Sequence, residues 1–233
     1  NGLTVAYVNT VGGQDELVFD GSSIICNNTG GLVARGPAFQ EWLLITDLEF
    51  PDPAAKPSRT RLSAEAAAVG TAKNATVSEV ALNSRPPLAD QPMSDGMDGP
   101  EEVYRALVMG TGDYLRKSGF TKALIGLSGG IDSALTATVA VDALGKDNVV
   151  GITMPSRYSS EGSISDSKKL AENLGLDLWE VPIEPAHQAF TDMLAERFKG
   201  TEANVAEENV QARVRGNVLM TVSNKFGWIV LTT

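Results

Sequence analysis

The stretch Ala123-Leu124-Ile125-Gly126-Leu127-Ser128-Gly129-Gly130-Ile131-Asp132-Ser133 decides how the rest of the chain is read. Ala123–Leu127 is a continuous run of apolar and small residues, the pattern of a strand buried on both faces. A Ser-Gly-Gly turn follows, and from about Asp132 to Leu144 apolar residues recur at helical spacing. Strand, tight glycine turn and helix start together make an anion site. Glycines let backbone N–H groups crowd toward a phosphate, and the helix dipole adds roughly half a positive charge there. Ser128 and Ser133 can donate hydroxyl hydrogen bonds to phosphate oxygens. A carboxylate at Asp132 is repelled by phosphates unless a cation lies between them, so its most economical role is to hold Mg²⁺. The plainer alternative is a βα turn with Asp132 as a helix cap. Six matched residues in the correct strand–loop–helix setting weigh against it. The loop lacks the Gly-Lys-Ser/Thr ending of a Walker A motif and the G-x-G-x-x-G of dinucleotide folds.

Outward from this loop, residues 100–233 alternate regularly. Glu101–Lys117 reads as a helix with Val103, Leu107 and Tyr114–Leu115 on one face. Val149–Met154 reads as a strand, Ser163–Leu174 as a helix and Leu178–Ile183 as a strand. Helical stretches at His187–Phe198 and Val205–Phe226 lead to a strand at Gly227–Leu231. Strands alternating with helices of this length predict an α/β fold with a doubly wound parallel sheet. Ligands in such sheets bind outside the carboxyl ends of the strands. Ser128–Ser133, Pro155–Ser160 and Thr232–Thr233 all follow strand ends, so they are expected around one crevice.

Before this domain the pattern changes. Residues 1–50 are β-rich, with short strands expected at Leu3–Val8, Leu17–Phe19, Ser23–Cys26, Leu32–Arg35 and Trp42–Leu48. Gly12-Gly13, Asp20-Gly21 and Asn28-Thr29-Gly30-Gly31 supply turn chemistry, and the last should join Ser23–Cys26 to Leu32–Arg35 as a hairpin. Residues 51–99 hold Pro51, Pro53, Pro57, Pro86, Pro87 and Pro92 and read as a linker, with one short helix near Ala64–Val69. The chain starts inside a strand without an initiator methionine and stops at the apolar run Trp228–Thr233, and so reads as a fragment.

The composition is ordinary for a soluble globular protein, with 42% apolar and 21% charged residues. A net charge of -10 argues against general nucleic-acid binding, which rewards a basic face. It leaves room for an anionic small substrate in a locally positive site. The single cysteine, Cys26, cannot form an internal disulfide, and no apolar run nears the roughly 18 residues of a membrane span, so a cytoplasmic protein is expected.

The loop resembles the SGGxDS pyrophosphate loop of the N-type ATP-pyrophosphatases, which include GMP synthetases, asparagine synthetases, tRNA-thiolating enzymes and NAD synthetases. Three further segments are similar to NAD synthetases in particular. They are Met154-Pro155-Ser156-Arg157-Tyr158-Ser159-Ser160, Glu208-Asn209-Val210-Gln211-Ala212-Arg213-Val214-Arg215 and Ile229-Val230-Leu231-Thr232-Thr233. The segment from Tyr7 to Ser23 resembles the last part of the nitrilase-type glutaminase domain of glutamine-dependent NAD synthetases. The expected organisation is therefore 1–50, the end of a nitrilase-like domain; 51–99, a linker; and 100–233, a truncated synthetase domain.

The resemblance implies amidation of deamido-NAD through an adenylate, with ATP as co-substrate, Mg²⁺ as metal, and glutamine or ammonia as nitrogen source. It implies ATP contacts from Ser128, Gly129, Gly130, Ile131, Asp132, Ser133, Arg157 and Thr232. It also implies catalytic roles for Ser128, Asp132 and Ser133, Mg²⁺ on Asp132, and dinucleotide contacts from Asn209, Arg213 and Arg215. Spacing alone favours a solvated, ion-paired face on that last helix, and it is the resemblance that turns the reading toward a dinucleotide. Family synthetases act as homodimers, so a homo-oligomer is expected. Another ATP-pyrophosphatase amidotransferase, such as a GMP synthetase, and a non-catalytic ATP-binding module are the alternatives. The glutaminase Cys, Glu and Lys of the family lie upstream of the region present. Cys26 is expected to be a small buried filler in a hairpin strand, and His187 a capping or surface residue. Trp42, Trp179 and Trp228 are expected in strands and in the core.

Overall fold

The computed structural model describes residues 2–48, 86–88, 93–97, 99–157, 159–202 and 204–233. The expected helix near Ala64–Val69 and most of the expected linker lie outside the described residues. The chain divides into two compact units, one comprising Asn1–Val8, Ser22–Pro37 and Trp42–Asp95, the other Asn9–Gly21, Ala38–Glu41 and Gly96–Thr233.

The first unit is built on a three-stranded antiparallel sheet of β1 (Val5–Tyr7), β4 (Ile24–Cys26) and β5 (Leu32–Arg35), in the order β1-β4-β5. The β4–β5 hairpin forms as its Gly/Asn turn predicts. Asn27 Oδ1 accepts from the backbone N–H of Thr29 and Gly31 at 3.1 and 2.7 Å, and Gly30 supplies φ +88°. Cys26 lies in β4 and is half-buried rather than fully buried. Trp42–Leu48 is not a strand: Trp42, Leu43 and Ile45 are exposed, and no described strand pairs with the segment. A ladder needs a partner, and apolar content alone does not supply one.

The second unit opens with an antiparallel hairpin, β2 (Val11–Gln14) and β3 (Leu17–Asp20), packed on helix α1 (Gly99–Lys117). Gly12-Gly13, expected to be a turn, is strand. A Cβ on Gly13 would lie 3.0 Å from Gly110 Cα of α1, so the glycine permits two backbones to meet. Gly13 N–H donates to Asp113 Oδ2 at 2.6 Å, and Lys117 Nζ donates to Gly13 O. On α1, Leu115 is buried while Val103, Leu107 and Tyr114 stay exposed.

The remainder is the expected doubly wound sheet, with all pairs parallel in the order β8-β7-β6-β9. The chain runs β6 (Ala123–Gly126), α2 (Ile131–Leu144), β7 (Val149–Thr153), α3 (Glu161–Leu174), β8 (Asp177–Glu180), α4 (Glu184–Leu194), α5 (Val205–Phe226) and β9 (Ile229–Leu231). Strand alternation splits the core in two. Ile125, Leu127 and Val149 pack with Ala137, Ala140 and Ala171 of α2 and α3. Leu124, Val150, Ile152 and Met154 pack with Val214 of α5 and Ile183. Each large side chain so buried stabilises the fold by about 1.5–3 kcal/mol. Trp179 lies in β8 and Trp228 just before β9, both half-buried beside this second cluster, whereas Trp42 is exposed and outside any strand. β8 stops before Pro182, which has no N–H for a ladder, and α4 starts at Glu184 because Pro185 fits the first helical turn. α5 begins with a capping box between Asn204 and Glu207 and ends at Gly227, with φ +70°.

Candidate functional site

β7 and β8 extend the sheet on one side of β6, and β9 returns to the other, so strand order reverses beside β6. Such reversals leave a crevice beyond the carboxyl ends of the strands. A cavity of about 600 Å³ opens there. Its floor is apolar, from Ile125, Leu127 and Leu231. Its walls are Ser128, Asp132, Ser133 and Thr136 after β6; Met154, Pro155, Ser159, Ser160 and Ser163 after β7; Arg215 and Leu219 of α5; and Thr232 and Thr233 after β9.

The glycine loop is held in shape by its own hydroxyls. Ser133 Oγ donates to Gly130 O at 3.0 Å, Gly130 N–H donates to Ser128 Oγ at 3.2 Å, and the two Oγ atoms are 3.1 Å apart. Gly129 takes φ +79°, and a Cβ there would lie 2.6 Å from both Cα and O of Ser163. The loop therefore presses against the first turn of α3, whose N-cap Ser160 accepts from Ser163 N–H at 3.1 Å. Two helix N-termini meet on one cavity, and the first N–H groups of each have no acceptor within their helix. Both dipoles favour negative charge there. Arg215 adds a full positive charge to the wall, its Nε donating to Met154 O at 3.3 Å. The cavity suits an extended polyanion.

Ser128, Asp132, Ser133, Thr232 and Arg215 line this cavity together. Gly129, Gly130 and Ile131 line a smaller groove behind the loop, with Asp166 and Lys169 of α3. Arg157, Asn209 and Arg213 line neither. Asn209 and Arg213 are exposed on α5. Between them Gln211 is buried and accepts from Ser156 Oγ at 2.9 Å, tying α5 to the loop after β7. The Arg157 guanidinium is engaged by α4. Its Nε donates to Glu184 Oε1 at 2.7 Å, and its Nη2 donates to that same oxygen and to Gln188 Oε1. The Arg157 side chain and backbone N–H hold the Glu184 carboxyl below the usual carboxylate range.

His187 is not at the surface. It is buried at 5% exposure in α4, with Nε2 3.2 Å from Glu207 O and Nδ1 without a hydrogen-bond partner. Its position three residues into an amphipathic helix turns the ring toward α5, which a helix start beside a proline does not reveal. Thr136, Thr153, Ser163 and Glu184 were not singled out by the sequence. Ser160, just ahead of the helical run, is an N-cap residue type that would have pointed to the last turn of the wall.

Among the described residues no group of three His, Cys, Asp or Glu side chains is placed to hold a metal ion, and no helix is long and apolar enough to cross a membrane. Among the described residues Asp132 is the single Asp or Glu lining the cavity, and hydroxyls of Ser128, Ser133 and Thr136 line it too. Mg²⁺ is commonly held by one or two carboxylates together with phosphate oxygens and water, so this donor set fits a metal that arrives with a polyphosphate.

A family profile described as NAD synthase matches residues 103–233. The chain is 42% identical over 235 residues to the glutamine-dependent NAD(+) synthetase of Thermotoga maritima, covering 99% of this chain and 40% of that protein. It is 43% identical over 231 residues to the Synechocystis protein of the same name, covering 99% of this chain and 36% of the relative. Among solved structures it is similar to the glutamine-dependent NAD+ synthetase of Acinetobacter baumannii in complex with ADP. That match has a TM-score of 0.75 at 35% identity and covers 98% of this chain and 37% of the other. The chain thus spans about two fifths of the length of the relatives it matches, and the likeness runs through its first hundred residues as well as the matched domain.

Proposed function

The chain belongs to the NAD synthase family, and on that premise we propose that the protein of which it is part makes NAD+ by ATP-dependent amidation of deamido-NAD, with glutamine or ammonia as nitrogen source. The observation that carries the reading is the polyanion cavity at the sheet's strand reversal, walled by the Ser128–Ser133 loop.

In this reading the ATP phosphates lie across the loop. They take hydrogen bonds from Ser128 and Ser133 and from the N-termini of α2 and α3. Asp132, with phosphate oxygens, would hold Mg²⁺, which when bound neutralises charge on the leaving pyrophosphate. Arg215 offsets further negative charge, and Thr232 offers a hydroxyl from the end of β9. The deamido-NAD carboxylate attacks the α-phosphorus, forming a C–O–P linkage as the bond to pyrophosphate breaks. Ammonia then adds to the activated carbonyl, loses a proton, and expels AMP. The residues of this chain position the partners and stabilise charge, which is most of what attack at phosphorus needs. Glutamine use, by this reading, depends on a nitrilase-type glutaminase whose last part is residues 1–50. A cytoplasmic homo-oligomer is the accompanying expectation.

The adenylate step is tested by isotope exchange between labelled pyrophosphate and ATP in the full-length protein, without a nitrogen donor. Exchange should require both Mg²⁺ and deamido-NAD. Exchange independent of deamido-NAD, or its absence at saturating substrates, would contradict the proposal.

A further inference from the structure

The only histidine of the chain is buried beside a carboxylate oxygen that already takes two hydrogen bonds. His187 Nε2 faces the backbone carbonyl of Glu207, which can only accept, so Nε2 carries a hydrogen. In the neutral ring Nδ1 is then a bare lone pair, buried without a partner and 4.0 Å from Glu184 Oε1. Two acceptors face each other. A proton on Nδ1 turns that opposition into a donor–acceptor pair. Glu184 Oε1, however, already receives Arg157 Nε and Nη2, which use both of its lone pairs. What His187 gains from this oxygen, Arg157 loses.

Arg157 matters to the cavity by position. Pro155 precedes it and Ser159 and Ser160 follow it in one short loop, and all three line the wall. The guanidinium sits on α4, held by Glu184 and Gln188, and Glu184 Oε2 also accepts Arg157 N–H at 3.2 Å. The charged groups facing the imidazole are the Glu184 carboxylate from its own helix and the Glu207 carboxylate from α5. Beyond Glu184 lies the Arg157 guanidinium from the loop after β7. The Glu207 carboxylate is itself engaged by Asn204 N–H at 2.8 Å.

We infer that His187 is a positioning residue acting through Glu184, its proton deciding whether Arg157 stays clamped on α4 or is released to an anion in the neighbouring cavity. The inference rests on the reading that this cavity takes ATP. With a proton on Nδ1 the clamp loosens and ATP binds more tightly; without it Arg157 stays on Glu184. An exposed Arg–carboxylate pair is worth little in water, so the effect is about two- to fivefold.

The test uses the full-length protein, Mg-ATP, and three proteins: wild type, His187→Gln and Glu184→Gln. ATP dissociation constants are measured between pH 6 and 8, and the Nε–H chemical shift of Arg157 is followed by NMR without nucleotide. The ratio of wild-type to His187→Gln affinity should change about two- to fivefold across that range. Glu184→Gln, at a partly exposed site that folding tolerates, should bind ATP more tightly at pH 8 and without this pH dependence. The Arg157 shift should move with pH in wild type and stay fixed in His187→Gln. An unmoving Arg157 shift in wild type, or weaker ATP binding by Glu184→Gln, overturns the clamp. A shift that moves while no ATP binds at any pH supports the clamp and sinks the ATP reading instead.

Discussion

At Gly129 the backbone is left-handed, and the space beyond its Cα is filled by the main chain of Ser163, so there is no flexible atom to give way. Gly129→Ala combines a backbone penalty of about 1–2 kcal/mol with a clash that pushes the loop off α3. Thermal unfolding should show that loss, and calorimetry on the full-length protein should show at least tenfold weaker ATP binding. Asp132→Asn makes a different demand. It keeps the shape and removes the charge, so nucleotide binding without Mg²⁺ should persist while Mg²⁺-dependent turnover falls about a hundredfold or more. These residues were legible because glycines, hydroxyls and one carboxylate at fixed spacing carry their own chemistry. Arg157 was legible as a cation but not as one committed to Glu184, since the two are brought together only when β7 and β8 pair. The burial of His187 was illegible for the same reason, because it depends on how α4 lies against α5.

The elements divide along the same line. Strands β6 and β7 could be read almost to the residue because both faces are covered, which leaves an unbroken apolar run. Strand β2 could not, since Gly12-Gly13 has the composition of a turn and becomes strand only through close contact with α1. That contact is tested at Asp113, which the Gly13 N–H, ahead of Arg116 and Lys117, holds below the usual carboxylate range. Its contribution is therefore present above the ordinary aspartate pKa and is lost as pH falls through the lowered value. Asp113→Asn should cost about 1–2 kcal/mol near neutral pH, and little once acid has protonated the wild-type group. Denaturant midpoints at several pH values check it. At the start of α5, Asn204→Ala removes one half of a capping box and should cost about 1 kcal/mol, again read from unfolding.

For the whole molecule, the doubly wound sheet explains why one cavity gathers residues from β6, β7, α5 and β9 that are as far apart in sequence as Ser128 and Thr232. An overall charge of -10 is compatible with an anion site because the field inside the cavity comes from two helix N-termini and Arg215, not from the total. The chain spans about two fifths of the length of its relatives, so the proposed reaction is tested in the full-length protein. The most direct measurement supplies that protein with Mg-ATP and deamido-NAD, plus either glutamine or ammonium, and quantifies NAD and AMP together. Equal amounts of NAD and AMP are expected from either nitrogen source. No NAD from either source, or AMP released without NAD, would contradict it.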